Sequence, residues 1–134
     1  MNICTYVTPI SLAPKLILVS LYHHTKTLAN VREHPRALLQ LLTEAQASAV
    51  RTCGHNSGNQ FDKLARLEKT HQINYSQGLP YFAEAAGFIR LDFQEFTEVG
   101  ADHTLGIGRV VGSKNLSDAP ILTTYYLREH GIIR

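Results

Sequence analysis

Apolar positions along this chain come first in short unbroken stretches, then at three- and four-residue spacing, and finally at every second position. Ile3 to Ile10 is rich in β-branched and aromatic residues and ends near Pro9, and Leu16 to Tyr22 is a near-continuous apolar run behind Pro14 and Lys15. Both predict strands, the second buried on both faces. Thr25 then offers a hydroxyl cap ahead of Leu28 and Val31, and Pro35 forbids continuation, which predicts a short helix from Thr25 to Arg32. Ala37 to Leu42 reads as a strand. Thr43-Glu44-Ala45-Gln46 has capping-box spacing, and the helix it opens should stop at Gly54. His55 to Asn59 is a loop by composition, and Phe61 to Lys69 is a further short helix with Phe61, Leu64 and Leu67 on one side. Thr70 to Pro80 reads as polar connection. Beyond it Ile89, Leu91 and Phe93 alternate with Arg90, Asp92 and Gln94, the mark of a half-wet antiparallel strand. Thr104 to Val111 predicts another strand and Ile121 to Leu127 the last.

Strands, a helical insert, then strands again favour a mainly β fold, a closed or nearly closed antiparallel barrel rather than βαβ repeats. With 134 residues, 44% apolar and 18% charged, the chain is expected to form one domain over 1–134 that buries a core without metal or disulfide staples. A net charge of +2, with the basic residues scattered, is too weak a field for a nucleic-acid binder. Cys4 and Cys53 lack CxxC or ligand spacing and read as reduced thiols. Met1-Asn2-Ile3-Cys4 lacks the basic start of a secretory signal, and no apolar run reaches spanning length, so the expectation is a cytoplasmic protein without membrane association.

Candidate chemistry gathers in three places. Thr5, Thr8 and Ser11 are followed by Ser20 and by Thr25 and Thr27 with Lys26 between them at a helix start. Hydroxyls, free backbone N–H groups and one ammonium suit a phosphate, although hydroxyls also suit strands and caps on their own account. Ser57-Gly58 with Lys63 reads as a second, looser phosphate-contacting loop, in which glycine lets the backbone approach an anion. Asp102-His103 at a strand entry could present an imidazole to a cofactor, but neighbouring strand residues point to opposite faces, so Asp102 is not assigned to orienting His103. His23-His24 has no partner at metal-ligand spacing, and no metal site is expected. Gly106-Ile107-Gly108 reads as strand interior approached closely by another backbone or a ligand.

Tyr6-Val7-Thr8-Pro9-Ile10-Ser11 with Pro14, Thr25-Lys26-Thr27-Leu28-Ala29-Asn30, Leu39-Gln40-Leu41-Leu42, Ser57-Gly58 with Asp62-Lys63, and Asp102-His103-Thr104-Leu105 stand in an order and spacing that resembles the flavin reductase-like family, the FMN-binding split barrels. The resemblance implies a six-stranded antiparallel Greek-key split β-barrel with two or three short helices, forming a homodimer with FMN at the subunit interface. By that analogy the backbone around Cys4, Thr5 and Tyr6 faces the isoalloxazine. Ser20, Thr25, Lys26 and Thr27 surround the phosphate, with Ser57, Gly58 and Lys63 adding from their loop. His103, the catalytic candidate, lies close to where a nicotinamide would stack. The implied reaction is hydride transfer from NAD(P)H to flavin, with a small-molecule electron acceptor downstream. The chain begins almost where the family's second strand does, so the barrel is expected to lack the family's first strand and to leave edges open. Ala101 replaces the glycine of the family's Gly-Asp-His motif, and Gly106 and Arg109 stand where bulkier and acidic residues are common. Two other outcomes follow from these departures: a protein that stores or senses FMN without turnover, and a degenerate dimeric barrel acting as an interaction module.

Overall fold

The structure, a computed structural model, describes residues 1–133. Its elements in chain order are β1 (Val7–Leu12), β2 (Lys15–Tyr22), α1 (Lys26–Glu33), β3 (Arg36–Leu41), a 3₁₀ turn (Glu44–Gln46), α2 (Ala49–His55), α3 (Lys63–Leu67), β4 (Ile73–Ser76), β5 (Leu79–Phe82), β6 (Gly87–Glu98), β7 (His103–Asn115) and α4 (Thr124–Glu129). Five strands form one sheet in the order β1-β2-β7-β6-β3, every neighbour antiparallel, and β4 and β5 form a separate hairpin. The fold is mainly β with few short helices, as expected, and among the described residues seven strands divide into a sheet of five and a hairpin of two.

The long pair β6–β7 is the spine, and bulges at Arg90/Leu91 and Phe93/Glu95 coil it. Its inner face buries Leu91 and Phe93 with Ile17, Val19 and Leu21 of β2, and α1 covers them with Leu28 and Val31. Those two residues sit at the spacing that made α1 legible, and Thr25 caps the helix by accepting from the Leu28 N–H at 3.2 Å. Gly106 and Gly108 fall on the same inner face. A Cβ at Gly106 would come within 2.7 Å of Phe93 Cε1, and one at Gly108 within 3.2 Å of Leu91 Cβ. The close approach expected here is therefore made by core side chains of β6, not by a ligand or another backbone.

Several local expectations are corrected. β2 is buried on one face only; Leu16, Leu18, Ser20 and Tyr22 on the other are half-buried or exposed, because no layer of the described residues covers them. The first strand is Val7–Leu12 rather than Ile3–Ile10. Thr43 and Gln46 do form their capping box, but it closes a single 3₁₀ turn, and α2 starts afresh at Ala49 and carries Gly54 inside its last turn. The supposed polar connection at 70–80 holds β4 and β5, joined by Gln77 at φ 50° and Gly78 at φ 80°. Two positive φ values in a two-residue loop give the primed turn that matches strand twist, a signal hidden by Gln in place of the usual Asn or Asp and by Pro80 inside the strand. Finally, Ile121–Leu127 is not a strand. Ile121 makes one bridge to Thr43, and Thr123 caps α4 through the Tyr126 N–H at 3.1 Å, which seats Leu127 against Ala47 and Val50.

Candidate functional site

β2 and β7 end together at an aromatic corner. Tyr22 and His103 are register partners, so their side chains share the uncovered face of the sheet, with ring centroids 5.1 Å apart. Tyr6, 68% exposed, stands on the other side of His103 at 5.9 Å, also edge-on. Asp102 precedes the strand, escapes its alternation, and accepts the His103 Nδ1–H at 2.7 Å. The expectation that neighbours diverge here is thus corrected. The bond fixes the ring, leaves Nε2 as the free nitrogen, and holds the Asp102 carboxyl below its ordinary pKa.

The chain then turns through His24, at φ 60°, into α1. Lys26 and Thr27 are the first two helical residues, where backbone N–H groups lack an intrahelical acceptor. Gly58 lies directly over this helix start: a Cβ there would stand 3.2 Å from Lys26 Cβ and 3.9 Å from Lys63 Cε. Asn59 secures the loop by donating from Nδ2 to the His24 carbonyl at 2.8 Å. Lys63 is not a loop residue on the surface. It opens α3, is 7% exposed, and donates from Nζ to the Cys53 carbonyl at 2.5 Å. Burial lowers its pKa and raises that of the Cys53 thiol. Lys26, Gly58 and Lys63, separated by up to 37 positions, therefore meet.

Between the corner and the helix lies a carboxylate hub that the sequence did not suggest. Glu98, at the end of β6, accepts from Thr104 Oγ1 at 2.8 Å, from Arg32 of α1, and from His23 Nε2 at 3.1 Å. The Thr104 hydroxyl, with His23 and Arg32 adding, holds the Glu98 carboxyl below its ordinary pKa. The hub ties α1 to both strands of the spine. The carboxylate at the end of an otherwise amphipathic strand carried no pattern that marked it.

Other expected site residues are placed less centrally. The Thr25 hydroxyl donates to the Tyr22 carbonyl at 2.8 Å while it caps α1, so its one proton is already engaged. Ser20 pairs with Leu105 on the uncovered face, away from α1. Its carbonyl receives the Cys4 thiol at 3.3 Å, and its N–H donates to the Tyr6 carbonyl at 3.0 Å. Through these bonds Cys4, Thr5 and Tyr6 are laid along the edge of β2 beside the aromatic corner, with Thr5 exposed. Ser57 accepts the Asn59 N–H at 3.3 Å and shapes its own loop.

The flavin reductase like domain family matches residues 2–131. An FMN-binding protein from Thermus thermophilus, crystallised with 1-cyclohex-2-enone, is 25% identical with a TM-score of 0.72, over 84% of this chain and 60% of that one. The flavin reductase PheA2 is 25% identical with a TM-score of 0.69, over 87% of this chain and 69% of that one. The NADH:FAD oxidoreductase SgcE6 of Streptomyces globisporus shares the fold at 21% identity with a TM-score of 0.73, over 86% of this chain and 67% of its own. The chain thus spans 60% to 69% of the length of these solved structures. No curated protein sequence matches it.

Proposed function

This chain belongs to the flavin reductase-like domain family, and from that premise we propose that it is an FMN-binding oxidoreductase working as one domain over 1–134, with NAD(P)H as hydride donor. The observation that carries the proposal is the closure of Gly58 over Lys26 and Lys63. Among the described residues neither ammonium is paired with a carboxylate. A loop in which a Cβ at Gly58 would stand only 3.2 Å from Lys26 Cβ brings its backbone close to two lysine side chains, a setting that suits a bound phosphate, which the unbonded N–H groups of Lys26 and Thr27 would also meet. The donor set therefore fits the phosphate tail of a flavin mononucleotide.

Lys26, Thr27 and the Gly58 loop would hold that tail, with Lys63 supplying charge from beneath. Ser20, Thr25 and Ser57 support this site in the proposal through the backbone they fix. Bound FMN would supply the redox chemistry, taking up hydride and passing electrons to a small-molecule acceptor. The segment Cys4, Thr5 and Tyr6 ahead of β1 lies beside the corner where His103 and Tyr22 stand, and there it would line the ring system. His103, oriented by Asp102, would present Nε2 toward the reacting face, to donate or accept a hydrogen bond as the ring needs. Leu16, Leu18, Leu105 and Ile107 form a half-buried apolar patch on the same uncovered face. A second copy of this chain would bury that patch and close the site in a homodimer. No helix is long and apolar enough to cross a membrane among the described residues, and the proposed setting is the cytoplasm, where NAD(P)H is supplied.

The test is one preparation. Protein purified without added flavin, or soaked with FMN, should show a flavin spectrum and consume NAD(P)H in an FMN-dependent manner. A yellow protein without turnover would leave storage or sensing, and a colourless one would end the proposal.

A further inference from the structure

His103 owes its orientation to Asp102, yet Asp102 stands on a segment with little of its own to hold it. The connection from β6 to β7, residues 99–102, is exposed throughout and passes through Gly100 at φ 70°, where a Cβ would meet nothing within 4 Å. The Asp102 side chain is itself 71% exposed. A carboxylate in such a place can fix a ring only if its own backbone is tethered. The tether is the His23 N–H, which donates to the Asp102 carbonyl at 2.9 Å. His23 needs fixing in its turn, because β2 has ended at Tyr22 and the next residue, His24, enters the left-handed region at φ 60°.

Glu98 supplies that fixing on both sides of His103. Its Oε2 meets His23 Nε2 at 3.1 Å, and its Oε1 accepts from Thr104 Oγ1 at 2.8 Å and from Arg32. Thr104 is buried and follows His103 directly. One carboxylate therefore grips the residue after His103 and, through the His23 backbone, the residue before it. Glu98 with Thr104 is the last register pair of β6 and β7, and Tyr22 with His103 the last of β2 and β7, so the ladders give no support beyond this point. We propose that Glu98 is a positioning residue: by holding Thr104 with one oxygen and His23 with the other, it sets the Asp102–His103 pair and so the direction of His103 Nε2. An ion pair with Arg32 alone would need neither the Thr104 hydroxyl nor the His23 ring.

Nitrogen NMR of the His103 ring in flavin-free protein, at a pH where the ring is neutral, tests this without any cofactor. Wild type should hold the proton on Nδ1, and Glu98→Ala should shift the population toward the Nε2–H form. His23→Ala should shift it the same way, and the double variant should go no further than Glu98→Ala, because the two side chains act along one path. Leu127→Val, which loosens the buried cluster of Ala47 and Val50 elsewhere in the fold, should leave the tautomer as in wild type. The kinetic arm alone rests on the function proposed above. Reduction of bound flavin at saturating NAD(P)H should slow about tenfold in Glu98→Ala, part of the loss expected on removing the imidazole, with FMN affinity changed little. A Glu98→Ala ring that keeps its tautomer overturns the proposal. So does a shift matched by Leu127→Val, a double variant that goes beyond Glu98→Ala, or a shifted tautomer with an unchanged rate. Wild type that neither binds nor reduces FMN would overturn the flavin reading instead, and the tautomer would then decide by itself whether Glu98 sets His103.

Discussion

His103 Nδ1 donates to Asp102 Oδ1 at 2.7 Å, a bond between chain neighbours that regular strand geometry would have kept apart. It forms because Asp102 lies in the bend before β7, and it fixes the imidazole plane between Tyr6 and Tyr22. His103→Ala should slow reduction of bound flavin on the order of a hundredfold, the low end for a positioned acid–base group, while changing FMN affinity little. Stopped-flow reduction at saturating NAD(P)H measures this directly, and a rate equal to wild type removes His103 from the chemistry.

Lys26→Ala takes away a charge-assisted phosphate contact of roughly 1.5–3 kcal/mol, so FMN should bind about ten- to a hundredfold more weakly. Fluorescence titration at low and high salt checks it. The gap between variant and wild type should narrow as salt rises, since screening weakens what the exposed ammonium contributes.

Asp102 and Glu98 both titrate below their ordinary values, the first through His103 and the second through Thr104 with His23 and Arg32. Unfolded, they would take up protons near about pH 4, while the native state still holds them as anions. Their stabilisation is therefore present above that pH and lost as pH falls through the lower native values. The urea midpoint of wild type should drop across this acid window. Glu98→Gln should show a shallower drop, and an unchanged acid limb would mean that the hub contributes nothing to stability.

Gly106→Ala places a methyl 2.7 Å from Phe93 Cε1 and 2.9 Å from Cδ1 inside the core. Overpacking of this kind costs about 1–3 kcal/mol, readable as a lower urea midpoint at constant m-value. Gly106→Ala combined with Phe93→Leu should recover part of the loss. A double variant no better than the sum of its singles would show that the ring is not what the new methyl meets.

Much of this architecture was legible from short-range pattern. Leu28 and Val31 with the Thr25 cap announced α1, and alternation from Ile89 to Phe93 announced β6, because each signal lies within a few residues of the element it forms. Where rules of the same kind competed, the reading failed. Pro80 and a Gln in the turn hid the β4–β5 hairpin, and the Thr123 cap made a helix of a stretch with strand-like composition. The candidate site divides in the same way. Lys26 and His103 stood out through their immediate neighbours, whereas nothing near Glu98 in the sequence pointed to His23 or Arg32.

By itself the sequence determined the elements with an unopposed local signal, α1, β2, β3, β6 and β7, which positions carry ammonium, hydroxyl and imidazole groups, and which family they resemble. Only the tertiary structure decided that Glu98 meets His23 and Arg32, 75 and 66 positions away, that Gly58 closes on Lys26, and that Phe93 fills the space Gly106 leaves. Periodicity and caps act through the backbone over one or two turns, and so leave a local trace. Contacts between distant side chains depend on sheet order, bulges and coil, which arise only when the whole chain packs and which no single segment records.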